Sequence, residues 1–316
     1  MGSLNNLHIV TWNANGLALR VNELEMFLNS NQIDIALISE THFTNKSHVR
    51  IRGFRAYWTT HPSGRAQGGS AILIKQNIQH FQLEEVREDF IQATIISLKQ
   101  SGANLNIAAA YCPPAHKIEK KQFMDVFAKL GPQFVIAGDF NVKHTAWGSR
   151  LITPKKGNEL LRAINESSSH YHSSRKPTYW PTDPTKIPDL LDFFITKGLA
   201  DNYIKIEGMD ELTSDHTPVV MTLSSEVIMK KKKVKLATKY TDWDKFRESV
   251  ENSVDLKVWL KNVQELEKQA TLFVEKVREA AREATPKMTS NEYEYPVSYP
   301  SEIRKLVKER RKLRRT

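Results

Sequence analysis

Short apolar runs with β-branched and aromatic residues recur along the first two-thirds of the chain, and each ends in a polar island. Leu7 to Trp12, Ile33 to Ser39, Phe54 to Trp58 and Ser70 to Lys75 read as strands. Gln79 to Val86, Ile91 to Lys99, Asn104 to Tyr111 and Phe134 to Ala137 continue the series, as do Thr178 to Trp180, Leu190 to Thr196, Tyr203 to Glu207 and Thr217 to Leu223. Between them the period lengthens. Val21 to Leu28 places Leu24, Phe27 and Leu28 on one helical face, and Ile118 to Leu130 and Gly157 to Asn165 also read as helices. Antiparallel meanders with few helices predict an α/β fold of two stacked sheets with helices outside.

After Ser224 the pattern changes. Lys230-Lys231-Lys232-Lys233 reads as a linker, with a nuclear localisation patch as the alternative. A short helix from Asp242 to Val250 is capped by Asp242. A long helical stretch runs from Leu256 to Ala284, with Leu260, Val263, Leu266, Ala270, Phe273 and Val277 as a packing stripe. A Tyr/Pro-rich loop from Met288 to Pro300 leads to a basic amphipathic helix opened by Ser301. The expected organisation is therefore 1–6 as a start and cloning remnant, 7–225 as the enzymatic domain, and 226–316 as a basic helical extension.

Charge sharpens this division. The 316 residues carry a net charge of +10. Residues 1–225 hold 23 Lys/Arg against 21 Asp/Glu, and residues 226–316 hold 23 against 15. The basic excess lies in the last third, the usual footprint of a polyanionic partner. The single Cys112 excludes an internal disulfide and fits a reducing compartment. No apolar stretch is long enough for a membrane span.

Four polar islands carry the chemistry: Trp12-Asn13-Ala14-Asn15-Gly16, Ser39-Glu40-Thr41-His42, Gly138-Asp139-Phe140-Asn141 and Ser214-Asp215-His216. They hold carboxylates, asparagines and histidines at strand ends, where a folded sheet delivers distant residues to one crevice. That inventory suits metal-assisted hydrolysis of a phosphodiester.

The order of these islands resembles the exonuclease–endonuclease–phosphatase superfamily, and within it the apurinic-type endonucleases. Tyr111-Cys112-Pro113-Pro114 looks like the family's active-site tyrosine, Leu191-Asp192-Phe193-Phe194-Ile195 like the strand whose Asp orients the catalytic His, and Gly68-Gly69-Ser70-Ala71-Ile72-Leu73-Ile74 like a strand after a Gly-Gly turn. Asn141-Val142-Lys143-His144, Trp147-Gly148-Ser149, Lys156-Gly157-Asn158 with Leu160-Leu161, and Lys176-Pro177-Thr178-Tyr179 are similar to the endonuclease of non-LTR retrotransposons, especially the jockey-like group. Asn15 stands where the abasic-site repair enzymes carry Asp, which favours the retrotransposon type.

The resemblance implies a four-layered α/β sandwich and a Mg²⁺-dependent endonuclease, with Mn²⁺ as a substitute. It would nick one strand of double-stranded target DNA and leave a 3′-hydroxyl for target-primed reverse transcription. Glu40 is the expected main metal ligand, helped by Asn13, Asn15 and Asp215. His216 is expected as phosphate contact or base, oriented by Asp192. Asp139 is the other candidate base, Asn141 a partner of the scissile phosphate, and Tyr111 a donor nearby. Thr178 and Ser214 are candidate hydroxyl donors to DNA. The proline-rich loop after Trp180 is expected to enter the DNA, with Trp180 as stack or wedge. Arg65, Lys143, Arg150, Lys155, Lys156, Arg175 and Lys176 are candidate backbone contacts. His42 reads as a loop residue. A reverse transcriptase domain is expected downstream, element RNA is a candidate partner of 226–316, and the expected place of action is the nucleus after synthesis in the cytoplasm. An abasic-site repair endonuclease, a lipid or inositol phosphoesterase, and a binding module without catalysis are the competing readings.

Overall fold

Asn6–Asn13 is buried at almost every position from Leu7 onward, because it lies inside a sheet covered on both faces. The computed structural model describes residues 6–99, 104–150, 155–183, 185–209, 211–226, 228, 236–254 and 262–286. The chain divides into two compact units, Met1–Lys230 and Lys231–Thr316.

In the first unit the strands are β1 (Asn6–Asn13), β2 (Ile35–Ser39), β3 (Phe54–Thr59), β4 (Ser70–Lys75), β5 (His80–Gln82), β6 (Val86–Glu88), β7 (Ile91–Leu98), β8 (Leu105–Tyr111), β9 (Phe134–Asp139), β10 (His170–His172), β11 (Asp192–Lys197), β12 (Ile204–Gly208) and β13 (Val219–Ser224). The helices are α1 (Val21–Ser30), α2 (Lys120–Leu130) and α3 (Lys156–Glu166). One sheet has the order β12-β13-β1-β2-β4-β3, the other β10-β11-β9-β8-β7-β5, with β6 also paired to β7. Most neighbours are antiparallel, and the pairs β1/β2 and β8/β9 are parallel.

Three apolar clusters define four layers. Ile9, Ile35, Leu37 and Ile72 from the first sheet meet Ile96, Ile107, Val135 and Phe194 from the second. Leu24, Phe27 and Leu28 of α1 cover the first sheet over Val10, Ala36 and Leu73. Phe123, Phe127, Leu160 and Ile164 of α2 and α3 cover the second over Ala108, Ile136 and Phe193. The expected sandwich is the observed one.

Two expected strands differ. Gln79 to Val86 breaks into β5 and β6, which pair with the two ends of β7. Thr178 to Trp180 forms only isolated bridges, from Tyr179 to Asp189 and to His216. That stretch serves as a brace between loops. β10 was not anticipated; three residues with two polar histidines carry no apolar signal.

In the second unit α4 (Trp243–Ser253) is capped by Asp242, whose carboxylate accepts from the backbone of Asp244 and Lys245. The start of α4 meets the end of α5 (Val263–Ala284) through Asp242 N–H on the Ala284 carbonyl, 2.9 Å. The expected packing stripe on α5 is not covered at Leu266 and Phe273, each about half exposed; burial falls on Ala280, Ala281 and Ala284 instead. The Lys230–Lys233 run, the Tyr/Pro-rich loop and the last basic helix lie outside the described residues.

Candidate active site

β1, β2 and β9 all run toward one end of the sandwich, and β11 starts there. Their termini deliver Asn13, Glu40, Asp139 and Asp192, because β1/β2 register pairs Asn13 with Ser39 and β9/β11 register pairs Asp139 with Asp192. Tyr111 ends β8 directly beside Asp139. Ser39 ties the two sheets at this end: its hydroxyl donates to the Ala110 carbonyl (2.9 Å) and accepts from Asp139 N–H (3.0 Å). Gly138 makes that approach possible. At its φ of +151° a Cβ would lie 1.8 Å from the Ala110 carbonyl oxygen.

Asp139 is buried and accepts three hydrogen bonds: from Asn13 Nδ2 (2.9 Å), Asn141 Nδ2 (2.9 Å) and Asn141 N–H (2.8 Å). Burial and the neighbouring Asp192 charge push its carboxyl up to about 7, with His216 acting in the opposite sense. His216 is also buried; its Nδ1 contacts Asp192 Oδ2 at 2.7 Å and its Nε2 lies 4.0 Å from Asp139 Oδ2. Burial lowers the basicity of this ring. The carboxylates of Asp192, Asp139 and Asp215 outweigh burial and raise it to about 10. The surrounding carboxylates thus favour the protonated imidazole, and the ring's tautomer when neutral is fixed by Asp192.

Glu40 sits in a strained turn at φ +50°. Burial raises its carboxyl, but contacts from His42, Asn13 and Tyr111 prevail and hold it below the usual range. Burial, followed by the charges of Glu40 and Asp139, pushes the Tyr111 phenol well up, so it stays a donor. Burial likewise pushes the Cys112 thiol up to about 12, which makes it a packing residue rather than a nucleophile.

Several expected roles change. Asn13 spends its amide N–H groups on Glu40 Oε1 (3.1 Å) and Asp139, while its Oδ1 accepts from Asn15 N–H (2.9 Å). It bridges carboxylates rather than offering a free ligand. Asn15 is exposed and donates to Asp215 Oδ1 at 3.2 Å. Thr178 is buried, and its hydroxyl accepts from the N–H groups of Leu191 and Asp192 (3.0 Å each), so it braces β11 rather than facing a ligand. Ser214 donates to the Asn13 carbonyl (2.7 Å) and accepts from His216 N–H (3.1 Å). Lys156 turns inward and donates to the Pro113 carbonyl (2.9 Å), which removes it from the surface. Lys143 pairs with buried Asp189 at 3.1 Å. Arg150, Arg175 and Lys176 are exposed. Trp180 is half exposed on the rim; its indole donates to Thr217 Oγ1 (2.8 Å) and its backbone N–H to the Asp215 carbonyl (2.8 Å).

Two residues beside the centre had been missed. Tyr179 lies with its ring 4.9 Å from that of His216. Burial, then the charges of Asp215, Asp139 and Glu40, raise its phenol. His42 faces Glu40, with Nε2 3.4 Å from Oε2. Tyr179 follows Thr178 directly, and His42 stands two residues after Glu40. Tyr179 meets His216 from a distant loop, whereas His42 meets Glu40 within one turn whose left-handed backbone local spacing does not reveal.

The donor set suits a divalent cation. Asp139, Asp192 and His216 place one ligand atom each within 4.8 Å of one another. That trio is buried and bound to itself, whereas Glu40 keeps about a fifth of its side chain open to solvent. A hard cation that retains several waters is better met at Glu40, with Asp139 across the Asn13 bridge.

The family model described as Endonuclease/Exonuclease/phosphatase family matches residues 10–216. The chain belongs to that family. It is an enzyme with a nuclease-type domain, and its candidate centre lies within the matched stretch. It is 31% identical over 313 residues to an RNA-directed DNA polymerase from the mobile element jockey of Drosophila melanogaster, covering 98% of this chain and 34% of the relative. A probable RNA-directed DNA polymerase from transposon X-element of the same organism is also 31% identical, over 309 residues, with 98% and 34% covered. The chain spans about a third of the length of these relatives. Among solved structures, the endonuclease domain of TRAS1, a telomere-specific non-LTR retrotransposon, matches with a TM-score of 0.59 at 22% identity, over 69% of this chain and 98% of that one. The AP endonuclease LMAP from Leishmania major matches with a TM-score of 0.60 at 14% identity, over 72% and 90%. These two likenesses establish the shared sandwich.

Proposed function

We propose that the chain is a Mg²⁺-dependent DNA endonuclease that nicks one strand of double-stranded target DNA. The nick leaves a 3′-hydroxyl from which a downstream reverse transcriptase copies element RNA, in the nucleus. The observation that carries this reading is the meeting of Glu40, Asp139, Asp192 and His216 at one end of both sheets. There, His216 lies between Asp192 and Asp139, with Nδ1 2.7 Å from Asp192 Oδ2 and Nε2 4.0 Å from Asp139 Oδ2.

Asp139 takes the proton from the attacking water; its carboxyl near 7 matches that task at working pH. Asn13 and Asn141 fix its two oxygens. His216, kept charged by Asp192, contacts the phosphate. Tyr111 stays protonated and donates from the β8 side. Glu40 would hold a divalent cation, which would supply positive charge for the leaving oxygen. Trp180, pinned through Asp215 and Thr217, presents an apolar ring on the rim, and Arg150, Arg175 and Lys176 meet the DNA backbone.

The test is plasmid nicking. With Mg²⁺, supercoiled DNA is expected to convert to open circles; EDTA and His216→Ala each abolish the conversion. Equal conversion in EDTA contradicts the metal-dependent reading. Faster cleavage of abasic than intact duplex favours the repair alternative.

A further inference from the structure

The turn after β2 is built to hold one side chain against another. Glu40 and His42 both lie in the left-handed region, at φ +50° and +55°. L-residues adopt that region at a cost, and such strain persists only where surroundings enforce it. Here the backbone does so. Gly16 N–H donates to the Glu40 carbonyl (2.8 Å), Leu17 N–H to the Thr41 carbonyl (3.1 Å), and His42 N–H to the Gly68 carbonyl (2.9 Å). Three glycines close around the turn. A Cβ on Gly16 would lie 3.4 Å from His42 Nδ1, and one on Gly69 would lie 2.8 Å from Thr41 Oγ1; Gly68 backs onto Tyr111.

The result is a carboxylate held at both oxygens. Asn13 Nδ2 reaches Oε1 at 3.1 Å, and His42 Nε2 lies 3.4 Å from Oε2. The imidazole remains about one-third exposed, so it is not merely core filling. A carboxylate that binds a cation needs its orientation fixed, and groups hydrogen-bonded to metal ligands set affinity through that orientation.

We propose that His42 is a positioning residue of the cation site: its Nε2–H holds Glu40 Oε2 while Asn13 holds Oε1, presenting the carboxylate to the ion. The inference rests on the reading of Glu40 as the cation ligand. It leaves hydrolysis to the residues already named.

Mn²⁺ binding followed by the loss of the free-ion electron paramagnetic signal tests it without any turnover. The proteins are the wild-type chain, Glu40→Ala, His42→Asn and His42→Gln. Asn is favoured in the left-handed region but too short to reach Glu40 with its amide. Gln carries an N–H near the position of Nε2. His42→Asn is expected to bind Mn²⁺ about 10-fold more weakly or worse, and His42→Gln to recover most of the loss. Unchanged affinity in His42→Asn, or no recovery in His42→Gln, overturns the inference. If Glu40→Ala binds Mn²⁺ as the wild type does, or the wild type does not bind it, the Glu40 reading itself fails, and that result is distinct from the first two.

Discussion

Asp192 shows how one buried carboxylate sets the state of a site. It is fully buried, contacts His216 Nδ1 at 2.7 Å, and is the largest charge raising that ring against the opposing effect of burial. Asp192→Asn removes that charge, so His216 loses its proton at lower pH than in the wild type. If the charged ring contacts phosphate, the alkaline limb of the nicking profile is expected to move down by about one pH unit or more, each unit being about 1.4 kcal/mol. Stability follows the same sign. A histidine raised from 6.5 to about 10 contributes stability fully below 6.5, and loses it as pH rises through about 10. The melting-temperature gap between wild type and Asp192→Asn should therefore be widest in mild acid and close toward pH 10. A gap independent of pH would contradict the assignment. At this scale the sequence exposes Glu40, Asp139, Asp192, His216 and Tyr111, because each stands at a strand end inside a recognisable island. The sequence conceals what their neighbours do. Asn13 bridges two carboxylates, Thr178 accepts two backbone N–H groups, and Lys156 turns inward. Each follows from contacts between residues far apart in the chain, which local spacing does not encode.

Strands and loops set the geometry of these side chains, and the β8–β9 pair is the tightest point. Gly138 faces the Ala110 carbonyl with no room for a Cβ, while the Ser39 hydroxyl bridges the sheets beside it. Gly138→Ala is expected to cost about 3 kcal/mol or more, through overpacking against backbone that cannot yield. Denaturant melts measure it; a loss below about 1 kcal/mol would contradict the close approach. The run Ile91 to Lys99 was legible as a strand because most of its positions are apolar or small, and Ile91–Leu98 is buried throughout. Gln79 to Val86 was not, since a polar-interrupted run does not reveal where the ladder breaks. Thr178 to Trp180 carries strand-like residues, yet its backbone is spent on isolated bridges from Tyr179 to Asp189 and His216. Tertiary context there overrides β-propensity.

The whole chain separates chemistry from charge. Every member of the candidate centre lies in the first unit, within the stretch matched by the family model. Most of the net +10 lies beyond residue 225. The four-layered arrangement was legible because strand-like runs, helical faces and polar islands alternate in an order that a family shares. The packing of the second unit was not, since the apolar stripe on α5 has periodicity but is half exposed at Leu266 and Phe273. Nicking is predicted to leave a free 3′-hydroxyl. A plasmid nicked by the full chain in Mg²⁺ and then incubated with a DNA polymerase and labelled nucleotides reads the end directly. Incorporation starting at the nick, with no phosphatase treatment, is the result this account requires, because a free 3′-hydroxyl is then present. A nick that accepts label only after a 3′-phosphate is removed would contradict it.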